Sequence, residues 1–593
     1  MEKFHGIGVS PGIVIGKVYL LNRERIVPEL RQISPEAVDG EIQRLEEALA
    51  KSVEQLETVK KHFRDKIGES HSYILDSHIL MLKDKMLTEG AKGVIRSRQI
   101  GAEGAVKNIL DQFLSVFDAI EDVYLKERKS DIVHVGDRIL RNLSGHIETS
   151  LVGLQEDVIV VAHDLSPADT MQMDRKHVKG FATDLGGKTS HTVIMARSLE
   201  IPAVVGMGHI TARLKSGDAV ILDGNSGTVI LDPDKATFNL YLEKQRRFVY
   251  FEKELQKLAP LPAETLDGCR VLLSANIETP EDVCGVLEHG ANGVGLYRTE
   301  FLFLNRRELP DEEEQFKAYR SALEMVAPET VIIRTLDLGG EKLTDHLPYS
   351  KESNPSLGLR AIRFCLEHRQ IFKTQLRALA RAGHFGSLKI MFPMISGVRE
   401  LRMAKEVFYE ALEELRQEGL EFKEDIPLGA MIEVPSAAVV VDLIAREADF
   451  LSIGTNDLIQ YSLAIDRVNE HVAYLYEPLH PAIMRMIKHV MTVAREANIP
   501  AAMCGEVAGD PVYAAALIGL GLREFSMNSV SIPRVKRIIR QVTLDDSNRL
   551  AREILALSTA REIEAYTKAY MRSLFADELM WHSELDSGPE AYG

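Results

Sequence analysis

The segment Gly186-Gly187-Lys188-Thr189-Ser190-His191-Thr192-Val193-Ile194-Met195-Ala196-Arg197 sets a histidine directly behind a glycine turn and polar capping residues, at the expected start of a helix. A neutral imidazole, with an unperturbed pKa of about 6.5, is a good nucleophile near neutral pH. A phosphoryl group carried there would face free amide N–H groups and the positive end of the helix dipole. Most histidines are structural or merely exposed, so among the eighteen in the chain it is this setting that singles out His191. A second concentration of chemically useful side chains follows short apolar runs in the C-terminal half: Arg298, Arg334, Glu433, Asn456, Asp457, Cys504, Glu506 and Asn528. Arginine forks bind anions, paired carboxylates suit a hard divalent cation, and a thiol can deliver a proton. Each has a plainer alternative. Arg298 could be a surface ion-pair residue, Glu433 and Asp457 could cap helices or form salt bridges, and Cys504 could be a small buried hydrophobe.

The elements that must position these residues can be read from periodicity. Glycine-rich residues at the start lead as a loop into a strand at Lys17-Val18-Tyr19-Leu20-Leu21. Ser34-Pro35 then reads as an N-cap with proline at the first helical position. Behind it Val38, Ile42, Leu45, Leu49, Val53, Leu56, Val59, Phe63 and Ile67 recur at helical spacing. The pattern, interrupted near Gly68, Gly90 and Gly101, continues to about Gly145 as a helical bundle. Strands return at Val158–Ala162, Val178–Phe181 and Pro202–Val205. A hairpin then joins Ala219–Leu222 to Thr228–Leu231. This predicts an α/β domain interrupted by a helical insertion. A charged helical linker runs from about Asp232 to Leu258.

Beyond the linker, strand candidates begin near Val271, Val294, Val331, Leu388, Leu428, Phe450, Pro500 and Glu524, each but the last leading towards a helix. Such a series closes into a TIM (β/α)8 barrel of about 250 residues or more, and places the loops after its strands on one catalytic face. The expected division is therefore 1–32 and 145–231 for the α/β domain, 33–144 for the insertion, 232–260 for the linker and 261–576 for the barrel. Helix is expected from Asn548 to about Phe575, and 577–593 reads as a loose tail.

Composition narrows the class. At 593 residues several cores are required, and 45% hydrophobic with 27% charged residues is a globular balance. A net charge of −17 argues against nucleic acid as a partner. No apolar run approaches the roughly 20 residues that span a bilayer, so no membrane insertion is expected. The N-terminal residues lack a signal-peptide pattern, and Cys269, Cys284, Cys365 and Cys504 show no CxxC spacing; a cytoplasmic protein with reduced thiols is expected.

Taken in order along the chain, Gly6-Ile7-Gly8-Val9-Ser10-Pro11-Gly12, the His191 segment, Gly295-Leu296-Tyr297-Arg298-Thr299-Glu300-Phe301-Leu302-Phe303 and Arg334-Thr335-Leu336-Asp337-Leu338-Gly339-Gly340 are followed by three further motifs. These are Met431-Ile432-Glu433-Val434-Pro435-Ser436, Gly454-Thr455-Asn456-Asp457-Leu458 and Met503-Cys504-Gly505-Glu506. The set resembles enzyme I of the sugar phosphotransferase system over nearly the whole chain. The resemblance implies a swivelling phosphohistidine α/β domain carrying His191, with Thr170 as a nearby hydrogen-bonding partner. It implies phosphoenolpyruvate held by Arg298, Arg334 and Arg467, with hydrogen bonds from Asn456 and the backbone near Asp457, and Mg²⁺ held by Glu433 and Asp457. Cys504 matches the family's proton donor, which turns enolpyruvate into pyruvate. The helical insertion would dock the histidine phosphocarrier protein HPr, and the barrel would form a homodimer. Glu506 is left without a role.

Two departures from the family pattern are Lys188 in place of arginine, which keeps charge but loses the planar fork, and Val468 in place of glycine after Arg467. Related dikinases and phosphoenolpyruvate synthases share these segments but need an additional ATP-binding domain, for which no segment is visible. A nitrogen-type paralogue would carry a sensory domain before Gly6, where only five residues stand. A regulatory protein with an inactive barrel would not be expected to retain all these side chains.

Overall fold

A computed structural model describes the chain except for residues 22–30, 68–72, 119–122, 146–150, 152–153, 187–195, 197–198, 200, 305–307, 340–351, 353, 468, 470 and 576–593. The chain divides into two compact units, Met1–Phe251 and Glu252–Ala576.

In the first unit, β1 (Glu2–His5), β2 (Ile7–Ser10), β3 (Ile13–Leu21), β4 (Val158–Ala162), β5 (Val178–Thr183), β6 (Ala203–Val205), β7 (Ala219–Asp223) and β8 (Thr228–Leu231) form one sheet. Their order is β1-β8-β7-β3-β4-β5-β6-β2. The β3–β6 run is parallel and the outer pairings are antiparallel. The all-apolar sequence of β4 is explained by burial on both faces. Val158, Val160 and Ala162 join one apolar cluster, and Ile159 and Val161 join another on the opposite face.

The N-terminal residues correct the expected loop, because they contribute β1 and β2 before β3 begins. Their glycines signal close backbone approach instead: a Cβ on Gly8 would lie 2.2 Å from the Gly224 carbonyl oxygen.

Between β3 and β4 the helices α1 (Val38–Ile67), α2 (Tyr73–Lys83), α3 (Lys85–Arg98), α4 (Ala102–Asp118) and α5 (Val123–Leu143) form the insertion. Ser34 takes the extended N-cap conformation ahead of Pro35, but its side chain makes no capping bond, and a 3₁₀ turn at Pro35–Ala37 leads into α1. Gly90 interrupts nothing. It lies inside α3, where a Cβ would sit 3.2 Å from Ile109 Cδ1, so it serves the packing of α3 on α4. The break before α3 is made by Asp84, whose carboxylate accepts from the Met86 amide. The break after it is made by Gln99 at φ 49°, and Gly101 directly precedes α4. Gly68 lies outside the described residues.

A short helix α6 (Pro167–Met171) opens with a reciprocal Ser166–Asp169 capping box, and Ala168 and Met171 join the apolar core of the insertion. Helix α7 (Lys235–Gln256) follows β8.

The second unit contains β9 (Leu272–Ile277), β10 (Gly293–Arg298), β11 (Thr330–Arg334), β12 (Ser387–Phe392), β13 (Leu428–Ile432), β14 (Leu451–Ile453), β15 (Ala501–Met503) and β16 (Glu524–Met527). They close into an all-parallel eight-stranded barrel, β16 pairing back on β9. Each strand begins within a residue of its expected position, since a parallel barrel strand, covered by helices on one side and the barrel interior on the other, reads as an uninterrupted apolar run. The single helix expected over 548–575 is instead two, Leu544–Ala556 and Ala560–Leu574. Thr559 divides them by capping the second, its hydroxyl accepting from the Glu562 amide while the Glu562 carboxylate accepts in return. Among the described residues no helix is long and apolar enough to cross a membrane.

Candidate active site

The C-terminal ends of β10, β11, β13, β14 and β15 gather most of the side chains singled out above. Arg334, the last residue of β11, keeps 11% of its side chain exposed, and its guanidinium bridges Glu300 Oε1 at 2.8 Å and Asp337 Oδ2 at 2.7 Å. Burial works against its charge, but Asp337, Glu300 and Glu433 outweigh that and hold it more firmly protonated than usual. Its Nε is buried without a hydrogen-bond partner among the described residues, leaving donor capacity at this end of the barrel. Asp337 is shared with Arg360, whose Nη2 donates to Asp337 Oδ1 at 2.8 Å and Asp457 Oδ2 at 3.4 Å. Arg360 Nη1 donates to the Tyr461 hydroxyl at 3.2 Å. Arg298 ends β10 half-buried and pairs with Glu278 at 3.0 Å, so the ion-pair alternative for this residue is present.

Glu433 follows β13 directly. It is 2% exposed, and its Oε1 accepts from the Met394 amide at 2.5 Å. Burial raises its proton affinity, and the carboxylates of Asp457 and Asp337 raise it further against the opposing pull of Arg334. Asp457 stands in the first turn of the helix Thr455–Leu463 and is not its cap; Gly454 holds that place, and the partner of Asp457 is Arg360. Among the described residues no cluster of three or more His, Cys, Asp or Glu side chains stands assembled for a metal. The pair nevertheless fits a hard divalent cation. Two buried carboxylates that repel each other are relieved by one, and a cation that keeps water and substrate oxygens needs few protein ligands. Gly454 leaves room beside them, since a Cβ there would fall 2.8 Å from Glu433 Oε2.

Cys504, just after β15, is 3% exposed in an apolar layer with Leu296, Ile332, Met391, Met431 and Phe450. Burial pushes its thiol pKa up, while the Ser452 hydroxyl and Arg334 pull it down. A thiol held protonated in this way can give a proton at neutral pH.

At the mouth, the Asn456 carboxamide and Glu506 lock together, Nδ2 donating to Oε1 and the Glu506 amide donating to Oδ1, each at 3.2 Å. Arg467 is exposed, and its backbone amide is anchored by Gln460 Oε1 at 3.2 Å. Its guanidinium acts on the Tyr476 hydroxyl together with Glu506 and Asp457, which places Arg467 at the same mouth; burial first and Glu506 next push Tyr476 up to about 12. Asn528 is occupied in capping a turn, accepting from the Val530 amide.

In the first unit Thr170 is buried on α6, and its hydroxyl donates to the Pro167 carbonyl at 2.9 Å. His191 and Lys188 lie outside the described residues, as does Val468. The sequence reading gave no roles to Glu300, Asp337, Arg360, Tyr461, Tyr476 and Ser452. For Glu300 and Asp337 the signal in the sequence is a carboxylate two or three residues after an end-of-strand arginine, Arg298 and Arg334 respectively. Arg360 had none, being brought in by a bridge between Gly339 and Arg360.

Three family models of the phosphoenolpyruvate-utilising enzymes match this chain. The family model for their PEP-binding domain matches residues 252–544, that for the N-terminal domain matches 5–128, and that for the mobile domain matches 154–227. Proteins named phosphoenolpyruvate-protein phosphotransferase are similar over almost their entire length. The Bacillus sp. (strain S) protein is 46% identical over 567 residues, covering 96% of this chain and 98% of its own. The Bacillus subtilis (strain 168) protein is 45% identical over 568 residues, covering 96% and 99%. The Staphylococcus carnosus (strain TM300) protein is 42% identical over 574 residues, with the same coverage. The chain belongs to the phosphoenolpyruvate-protein phosphotransferase family, the enzyme I family, and is a phosphotransferase.

Proposed function

We propose that this chain takes the phosphoryl group of phosphoenolpyruvate onto His191, releases pyruvate and passes the group to HPr, driving sugar uptake and phosphorylation. The observation that carries the reading is the meeting of Arg334, Glu433, Asp457 and Cys504 at the ends of barrel strands in a chain with full-length similarity to this family. Arg298, Arg334 and Arg467 bind the phosphate and carboxylate of the substrate through their guanidinium forks. Asn456 and the backbone near Asp457 add hydrogen bonds that fix its orientation. Glu433 and Asp457 would hold Mg²⁺, which supplies neutralisation of the charge that develops on the transferring group. His191 attacks phosphorus through a ring nitrogen, Nε2, and Thr170 supports the imidazole. The leaving enolpyruvate takes a proton on its methylene carbon from Cys504. The protein works in the cytoplasm as a homodimer through its C-terminal domain.

The test is a balance of products. With phosphoenolpyruvate, Mg²⁺ and HPr, pyruvate and acid-labile phospho-HPr should appear in equal amounts. Pyruvate without a phosphorylated protein would refute transfer.

Cys504→Ser separates the last step from the first, because a hydroxyl is a far weaker acid than a thiol. Pyruvate formation is expected to fall about a hundredfold, within the range for a lost general acid, with phosphoenolpyruvate affinity nearly unchanged. Wild-type pyruvate release in stopped-time assays would remove Cys504 from the mechanism.

A further inference from the structure

Ser452 is the middle residue of β14, paired with Met431 on β13 and Ala502 on β15, and it is wholly buried. The layer around Cys504 is otherwise made by Leu296, Ile332, Met391, Met431 and Phe450. A hydroxyl in such surroundings is costly unless it is hydrogen-bonded, and an alanine would fill nearly the same volume without that cost. The hydroxyl of Ser452 donates to Cys504 Sγ at 3.3 Å. The sulfur in turn points its own hydrogen at the Ile453 carbonyl, 3.7 Å away.

The Cys504 backbone is pinned independently. Its amide donates to the Ile453 carbonyl at 3.1 Å, and its carbonyl accepts from Asn276 Nδ2 at 3.2 Å. Asn276 Oδ1 accepts from Ser526 Oγ at 2.6 Å, which fixes the carboxamide. With the backbone held from β9 and β16, Ser452 acts on the sulfur itself.

We infer that Ser452 is a positioning residue for the protonation of enolpyruvate, its hydroxyl orienting the Cys504 thiol and stabilising the sulfur anion left when the proton departs. The inference rests on the proposed role of Cys504 as the proton donor. In the step, the enolate oxygen re-forms the C2 carbonyl and the C2–C3 π pair takes the thiol proton. The S–H bonding pair remains on sulfur, giving pyruvate and a thiolate that solvent reprotonates. A thiolate in an apolar layer needs a donor aimed at it, and a hydrogen bond strengthens when its acceptor becomes charged, so the Ser452 bond is worth more after the proton has left than before. The charged groups facing the thiol are Arg334, Glu433 and Arg298.

The experiment uses the full chain with phosphoenolpyruvate and Mg²⁺, following protein-bound label and pyruvate in single turnovers. It also measures the pH profile of iodoacetamide alkylation of Cys504, mapped by peptide mass. Ser452→Ala should slow pyruvate formation about tenfold more than label uptake and move the alkylation profile about one pH unit upward, in keeping with the loss of one hydrogen bond to a charged group. Ser452→Thr, which restores the hydroxyl on a β-branched side chain suited to a strand, should recover both. If Cys504→Ser is slow in pyruvate formation while Ser452→Ala matches wild type in both readouts, the inference is overturned and the role of Cys504 stands. If Cys504→Ser itself releases pyruvate at the wild-type rate, the underlying reading fails instead.

Discussion

Glu433→Gln is expected to lower transfer from phosphoenolpyruvate by about a hundredfold or more at limiting Mg²⁺, and to move the Mg²⁺ midpoint of the rate well above wild type. The substitution removes an anionic oxygen with little change in volume, at a position 2% exposed whose only described hydrogen bond is to the Met394 amide. Loss of fold can be separated from loss of ligand. Without a cation, the charged Glu433 sits buried near Asp457 and Asp337, an arrangement that favours the protonated form. A carboxyl whose folded pKa is raised destabilises the fold as pH rises above its unfolded value of about 4.3. The amide is free of that penalty, so in metal-free buffer near neutral pH the variant should melt no lower than wild type. Asp457→Asn should shift the Mg²⁺ midpoint in the same direction, but it also weakens the contact with Arg360 and should cost some stability. An unaltered midpoint in either variant would reject that residue as a ligand.

A fragment of residues 1–258 should accept phosphoryl groups from phosphorylated HPr and take none from phosphoenolpyruvate. It keeps His191, Thr170 and α1–α7, and its last residues extend just beyond Gln256, where α7 ends. It lacks Arg298, Arg334, Glu433, Asp457 and Cys504, all of which lie in the second compact unit. Because the proposed nucleophile and the proposed substrate groups come from different units, the two half-reactions should be separable, and reorientation about a few linker residues is an established way for a protein to serve two encounters. Incubating the purified fragment with each donor in turn and following acid-labile phosphate gives the answer. Labelling from phosphoenolpyruvate alone would refute the division.

Much of the fold was legible because its strands and helices follow simple periods. Val158–Ala162 could be read as a buried parallel strand, and the barrel strands fall within a residue of expectation. The readings that failed share a cause in tertiary contact. Gly6 and Gly8 looked like loop residues but let β2 approach neighbouring backbone, and Gly90 looked like a break but accommodates Ile109. Thr559 divided an apparently continuous apolar pattern because its cap competes locally with the helix. In the candidate site, end-of-strand residues such as Arg334, Glu433 and Cys504 announced themselves by position and motif. Arg360 and Ser452 did not. Arg360 arrives from a distant segment to share Asp337 and Asp457, and Ser452 sits in a strand where a small residue carries no periodic signal.

The most direct test of the central claim is to incubate the full chain with phosphoenolpyruvate and Mg²⁺, measure the intact mass, treat with acid and map the modified peptide, with His191→Ala run alongside. The account predicts a single phosphoryl group per chain, labile to acid, located on His191 and absent from the variant, with phosphoenolpyruvate still bound by that variant. Acid-labile label persisting in His191→Ala, or mapping to another residue of the wild-type chain, would contradict it.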